Sequence, residues 1–246
     1  MRIPRLYQDC PLAVGASIEL DETAVRHAIQ VLRLKPDDRL ILFNGDGHNY
    51  PARLTAISKK QATARIEDAT AADNESPLQT HLALGIAKGE RMDYALQKAV
   101  ELGINRLTPL LTKRCVVQLD EKREQKRRQH WQGIIRGACE QSGRARLPQL
   151  DPVMSYSEFL DTPLTGQRMI LDPRSDRSLS DCTRPQQLIL MIGPEGGFTQ
   201  TEREMAYQHD ATGIRLGPRI LRTETAVVAG LTAAQALWGD LDRATF

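Results

Sequence analysis

From residue 81 onward, short and nearly all-apolar runs alternate with longer stretches of helical periodicity. Met169–Leu171 and Leu188–Ile192 hold no charged residue, the pattern of strands covered on both faces. His81–Ala87, Arg106–Leu111 and Gly213–Leu216 read as further strands. Between them Met92, Leu96, Ala99 and Val100 recur at helical spacing until Gly103 ends the run. A long helix is predicted over Asp120–Gln141, basic at first and then apolar through Trp131, Ile134, Ile135 and Ala138. Two more follow at Thr201–His209 and Thr223–Trp238. Such alternation gives an α/β domain with a mainly parallel sheet.

The preceding stretch reads differently. Ser17–Leu20, Arg39–Phe43, Tyr50–Ile57 and Ala62–Ile66 are strand-like, and Asn44-Gly45-Asp46-Gly47 supplies a turn. One helix interrupts them, with Asp21 as N-cap, Val25, Ile29 and Leu32 on one face, and Pro36 as its stop. His27 and Arg33 fall near its rim, open to phosphate or simply its polar side. Residues 68–77 lack an apolar period and end in proline, the mark of a linker. The expected domains are therefore 1–72, small and β-rich, and 73–246.

Several classes are disfavoured. No window approaches the ~20 consecutive apolar residues of a membrane span, and the N-terminus lacks a signal-like apolar stretch, so a soluble intracellular chain is expected. Cysteines at 10, 115, 139 and 182 and the five histidines are scattered, which predicts neither a disulfide framework nor a metal site. The net charge of +2 hides an asymmetry: residues 113–146 carry 10 Lys/Arg against 4 Asp/Glu. A local basic concentration suggests an anionic partner, nucleic acid first, although an exposed helix face accounts for Lys122–Arg128 equally well.

Three segments could carry chemistry. Gly193-Pro194-Glu195-Gly196-Gly197 follows a buried strand and precedes a helix, where open α/β sheets bind ligands. Its glycines allow close approach or positive φ, but a plain strand-to-helix turn needs the same residues. It is not G-x-G-x-x-G, and no Walker lysine follows. Leu216–Leu221 places Ile220 and Leu221 in a loop, as walls for a flat ring would require. Thr223 or Thr225 could cap the helix that follows, and Arg219, Arg222 and Glu224 are the polar groups nearby. Glu140-Gln141-Ser142-Gly143-Arg144 ends the basic helix; its charges either converge on a ligand or complement the helix dipole.

Together these segments resemble the RsmE family of 16S rRNA (uracil-N3) methyltransferases, within the SPOUT superfamily. The resemblance spans essentially the whole chain. It runs from Met1-Arg-Ile-Pro-Arg5 and His27…Val31-Leu-Arg33 through Gln97-Lys-Ala-Val-Glu-Leu-Gly103 to Cys139-Glu-Gln-Ser-Gly-Arg144, Gly193–Gly197 and Leu216–Thr225. It is looser at Leu171-Asp172-Pro173 and Thr225-Ala226-Val227. It implies a PUA-like β-barrel for RNA docking, an α/β domain with a C-terminal trefoil knot, and a homodimer. S-adenosylmethionine would be the methyl donor, held by Leu171, Ile192, Gly193, Glu195, Gly196, Leu216, Gly217, Ile220 and Leu221. The implied substrate is one uridine in the decoding region of small-subunit rRNA. With few aromatics for stacking, phosphate contacts over an extended surface are expected to favour an assembled subunit over naked rRNA.

Uracil N3–H is a weak acid, so transfer needs its proton removed or the developing anion stabilised. Arg144, Arg222 and Arg219 are candidates for stabilisation, and Glu140 or Glu224 for accepting the proton or orienting those arginines. Arg5, His27, Arg33, Arg114 and Arg219 are the expected RNA contacts. A ribose 2′-O-methyltransferase of the same superfamily and a non-catalytic ribosome-assembly factor are the alternatives.

Overall fold

The structure is a computed structural model that describes residues 3–58, 60–115 and 120–242. Met1 and Arg2 of the opening motif and 116–119 of the basic segment lie outside the described residues. The chain divides into two compact units, Met1–Glu75 with Arg136–Leu147, and Ser76–Ile135 with Pro148–Phe246.

The first unit is built on strands β1 (Arg5–Tyr7), β2 (Ser17–Glu19), β3 (Arg39–Phe43), β4 (His48–Ile57), β5 (Ala62–Ile66) and β6 (Thr70–Ala71), with helix α1 (Glu22–Arg26) after β2. The sheet order is β1-β3-β4-β5-β2, and β6 pairs with the start of β4. Alternation along the strands turns Leu40, Leu42, Leu54, Ala64 and Ile66 into one core with Leu6 and Val25. Asp21 caps α1, its carboxylate accepting the Ala24 N–H at 2.8 Å. The helix predicted to run on to Leu32 instead widens into a π-turn at His27–Val31, and Arg33 leaves it at φ 53°. Part of the expected linker is a strand, because Thr70 and Ala71 pair with Asn49 and His48.

In the second unit come β7 (Gln79–Gly85), α2 (Glu90–Glu101), β8 (Arg106–Leu111), α3 (Glu121–Ser142), β9 (Gln149–Leu150), β10 (Met154–Ser155) and α4 (Tyr156–Asp161). Then follow β11 (Gln167–Leu171), β12 (Gln187–Ile192), α5 (Gln200–Gln208), β13 (Thr212–Ile214) and α6 (Thr223–Trp238). The last two turns of α3 belong to the first unit. The sheet order is β10-β8-β7-β12-β11-β13, with β9 beside β8, and each of its pairings is parallel. Its apolar strands are buried on both sides, as their unbroken hydrophobicity predicts. Leu82, Leu84, Leu188 and Leu190 pack with Met92, Leu96, Val227 and Leu231 of α2 and α6. Ala83, Ile189 and Met191 pack with Phe159 and Ala206 of α4 and α5 on the other face.

One polar network interrupts this core. The His81 ring lies 2.8 Å from Thr108 Oγ1, which bonds to Asp151, and Arg106 Nε donates to the same carboxylate at 2.7 Å. Burial, helped by the nearby Arg106 charge, pushes His81 down to about 4. Among the described residues no helix is long and apolar enough to cross a membrane, and no group of His, Cys, Asp and Glu could hold a metal ion.

Candidate active site

Because β11, β12 and β13 are parallel, their carboxyl ends at Leu171, Ile192 and Ile214 open on the same side of the sheet. The loops leaving them enclose a cavity of about 470 Å³, a size typical of small-molecule sites. All nine positions expected around a methyl donor line it. Strand β13 stops at Ile214, two residues earlier than predicted, which places Leu216 in the loop. Ile220 is 80% exposed, an apolar side chain at the cavity wall with little packed over it.

Thr223 does not cap α6, and Thr225 is not its cap either. The N-cap position is Arg222, without a side-chain hydrogen bond. Thr223 is buried and its hydroxyl donates to the Gly193 carbonyl at 3.3 Å, which ties the two glycine-bearing turns together. Close approach explains Gly193: a Cβ there would lie 2.9 Å from backbone atoms of Gly197 and Phe198. Gly197 supplies the positive φ of the turn, at 64°. From the neighbouring strand, Gly85 abuts Pro194 so closely that a Cβ would sit 2.4 Å from its ring.

The carboxylates are engaged with the protein. Glu195 accepts the Lys88 N–H at 2.9 Å and the Arg91 guanidinium at 3.2 Å. Burial opposes its ionisation, yet these donors outweigh it and hold the carboxyl below its usual range. Asp172, only 4% exposed, takes the Tyr207 hydroxyl at 2.7 Å, Arg203 at 3.2 Å and the Arg174 N–H at 3.0 Å. Burial first, and then the bond to Asp172, pushes Tyr207 up to about 12.

The family described as an RNA methyltransferase domain matches residues 74–235, and that described as an RNA methyltransferase PUA domain matches 20–67. Ribosomal RNA small subunit methyltransferase E of Buchnera aphidicola subsp. Schizaphis graminum is 34% identical over 98% of both chains. The chain belongs to this methyltransferase family. The Bacillus subtilis protein of the same name is 31% identical, over 85% of this chain and 86% of its own. The fold agrees: a Neisseria gonorrhoeae ribosomal RNA small subunit methyltransferase E, crystallised bound to S-adenosyl methionine, superposes with a TM-score of 0.91. That match has 40% identity and covers 98% of this chain and all (100%) of the other. A Legionella pneumophila protein solved in complex with SAM gives 0.95 at 39% identity over 98% and 100%. The N-terminal unit of this family member is thus PUA-like, and the second is its methyltransferase domain.

The charged residues expected to act divide between the units. Arg222 and Glu224 begin α6; Arg222 is exposed, and Glu224 Oε2 is buried with no hydrogen-bond partner among the described residues. Glu140 and Arg144 fold with the first unit. There Glu140 accepts the Tyr7 N–H at 3.0 Å and lies 3.8 Å from His27, and burial pushes its carboxyl upward despite the Tyr7 bond. Arg144 is buried and clasps Glu75 through two bonds of 2.9 and 2.5 Å. Among the expected RNA contacts, Arg5 is turned inward: it donates to Asn49 at 2.7 Å and to the Arg144 carbonyl at 3.2 Å, and covers the Phe43 ring. His27 is half-exposed and Arg33 exposed, while Arg114 and Arg219 line the cavity. Asp172, Arg174, Arg203, Tyr207 and Gly85 escaped the sequence reading. The one available signal was an Asp-Pro pair directly after a buried strand.

Proposed function

We propose that this chain methylates N3 of a single uridine in small-subunit rRNA, within an assembled subunit. We propose further that it acts in the cytoplasm as a homodimer whose C-terminal domain is tied in a trefoil knot. Its coarser activity follows from the family: S-adenosylmethionine-dependent methylation of rRNA. The observation that carries the reading is the cavity at the three strand ends, closed by the turns at 193–197 and 216–221.

The cavity fits that donor. Leu171, Ile192, Leu216, Ile220 and Leu221 offer apolar walls suited to adenine, and Gly193, Gly196 and Gly197 bring no side chain of their own into the cavity. When bound, the donor supplies a methyl group already activated on a sulfonium. The chain must hold the uracil in line and manage the charge left as its N3 proton departs. Arg222 and Arg219 are assigned to the charge developing on O2 or O4. Glu224 is assigned to the proton, because its buried oxygen is an acceptor that no group among the described residues satisfies. Arg144 and Glu140, whose polar groups already have partners within their own unit, are assigned to support. A paired uracil hides N3 in the duplex, so the target base must be unstacked.

The test is nucleoside analysis of small subunits methylated by the purified protein. The expected product keeps its methyl group on the base after glycosidic cleavage. A methyl group that stays with the sugar would instead establish ribose methylation, and saturating donor with no transfer would remove the enzymatic reading.

A further inference from the structure

Among the described residues five arginines line the cavity, Arg114, Arg174, Arg203, Arg215 and Arg219, against two acids, Asp172 and Glu195. Both acids are matched: Asp172 by Arg203, and Glu195 by Arg91 from outside the lining. Arg114 directs one nitrogen to the Gly196 carbonyl at 2.6 Å. Among the described residues no hydrogen bond or ion pair engages the side chains of Arg174, Arg215 and Arg219, and all three residues are exposed. Positive charge at this rim is therefore left uncompensated.

S-adenosylmethionine does not account for it. Its sulfonium and ammonium outnumber its one carboxylate, so the donor is itself a net cation and the rim repels it. A polyanion is what the rim complements. We infer that Arg174 and Arg215, flanked by Arg219, form a clamp for RNA backbone phosphates beside the target nucleotide, on the methyltransferase domain itself. This rests on the reading above that the substrate is RNA.

The backbone beneath the two arginines is laced together while their side chains stay open. Strands β11 and β13 pair with Leu171 opposite Ile214. The Asp172 N–H donates to the Ile214 carbonyl at 2.9 Å and the Arg215 N–H to the Arg177 carbonyl at 2.7 Å. Ser175 Oγ adds a bond to the Gly213 carbonyl at 2.7 Å, and the buried Asp172 holds the Arg174 N–H. Two guanidinium groups thus project from one stiff ledge at the cavity mouth, a preorganised anion site. Phosphates seated there neutralise the rim and relieve its repulsion of the donor, so RNA and donor bind with positive coupling, equal in both directions.

The experiment compares the full-length wild type with R174Q/R215Q, with R215Q alone, and with R184Q, an exposed arginine outside the cavity lining. Calorimetry measures S-adenosylmethionine affinity with and without unmethylated small ribosomal subunits, and methyl transfer is followed over a series of salt concentrations. In the double variant, KM for subunits rises tenfold or more, and its logarithmic salt dependence flattens by about one unit per arginine removed. Donor affinity without RNA stays equal or improves, and the tightening that RNA causes in the wild type disappears. R215Q shows about half of each change, and R184Q none. Donor affinity tenfold weaker with KM for subunits unchanged would assign the rim to the donor carboxylate and overturn the clamp. Double-variant values equal to wild type would overturn it equally. A wild type that transfers no methyl group to RNA would instead defeat the functional reading beneath it, a separate result.

Discussion

Arg144 and Arg219 each follow a glycine by one or two residues, and in sequence both look like arginines poised beside a turn. Their surroundings differ completely. Arg144 is 4% exposed and joined to Glu75, itself only partly exposed. Arg219 is exposed on the loop that lines the cavity, without a charged partner among the described residues. The contrast extends to other arginines of the two units. In the first, Arg5, Arg136 and Arg144 close internal pairs or cover aromatic rings. In the second, the loops at the cavity are fastened by bonds to backbone carbonyls and by the Asp172–Arg203 and Glu195–Arg91 pairs, and the side chains of three lining arginines have no partner among the described residues. Matched charge is architecture; unmatched charge at a cavity mouth is capacity for a ligand.

Arg144→Ala tests this contrast with the largest expected effect. It strands the Glu75 carboxylate partly buried, and removing one partner of a buried pair costs about 3–5 kcal/mol. Denaturant unfolding should show that loss, and E75Q should reproduce much of it. An Arg144→Ala protein as stable as wild type, yet inactive, would return Arg144 to the chemistry. Arg222→Ala should behave in the opposite way. Its unfolding midpoint should hold while kcat falls about 10²–10³-fold, the usual cost of deleting one donor to a developing anion. A loss confined to KM would reassign Arg222 to RNA binding.

How much of this was legible in the sequence depends on the range of the interaction. The parallel sheet was readable because strands buried on both faces must be apolar throughout, as Leu188–Ile192 is. The turns at 193–197 and 216–221 were readable because loops after parallel strands open together, whereas the full set of nine cavity positions, Leu171 among them, came from the family resemblance. The allegiance of α3 was not: its last turns join the first unit through Glu140 and Arg136, yet their helical periodicity is the same in either unit. Nor was the pairing of Arg144, whose partner lies 69 residues away. The inward turn of Arg5 was equally hidden, since burial of a cation depends on acceptors brought from β4 and from the end of α3. Small strands such as β1 and β10, of 3 and 2 residues, carry too few side chains to show a period.

His81 sharpens the comparison from inside the second unit, where a buried ring is kept neutral. Its folded pKa, about 4, lies below the ordinary value of 6.5. Between these values the unfolded chain binds the extra proton, so the stability contribution is complete above pH 6.5 and is lost as pH falls towards 4. The change should amount to about 3 kcal/mol across that window. It should be absent from the stability curve of His81→Asn, and so appear in full in the difference between wild type and variant at each pH. Parallel curves for the two proteins would mean that His81 takes up its proton in the fold as readily as in the unfolded chain.

The smallest expected effect probes the neutral fastening itself. Thr223→Val keeps the shape of the side chain and removes only the hydroxyl that donates to the Gly193 carbonyl. A single neutral hydrogen bond contributes about 1 kcal/mol net, so donor affinity should weaken about fivefold, because this bond joins the turns that enclose the cavity. The salt dependence of RNA binding should not change, since no charge at the rim has been touched. If Thr223→Val flattened that salt dependence while R174Q/R215Q left it intact, the division between fastening groups and open charges would be drawn in the wrong place. The rim would then owe its affinity for RNA to the shape of the loops, with its arginines as bystanders.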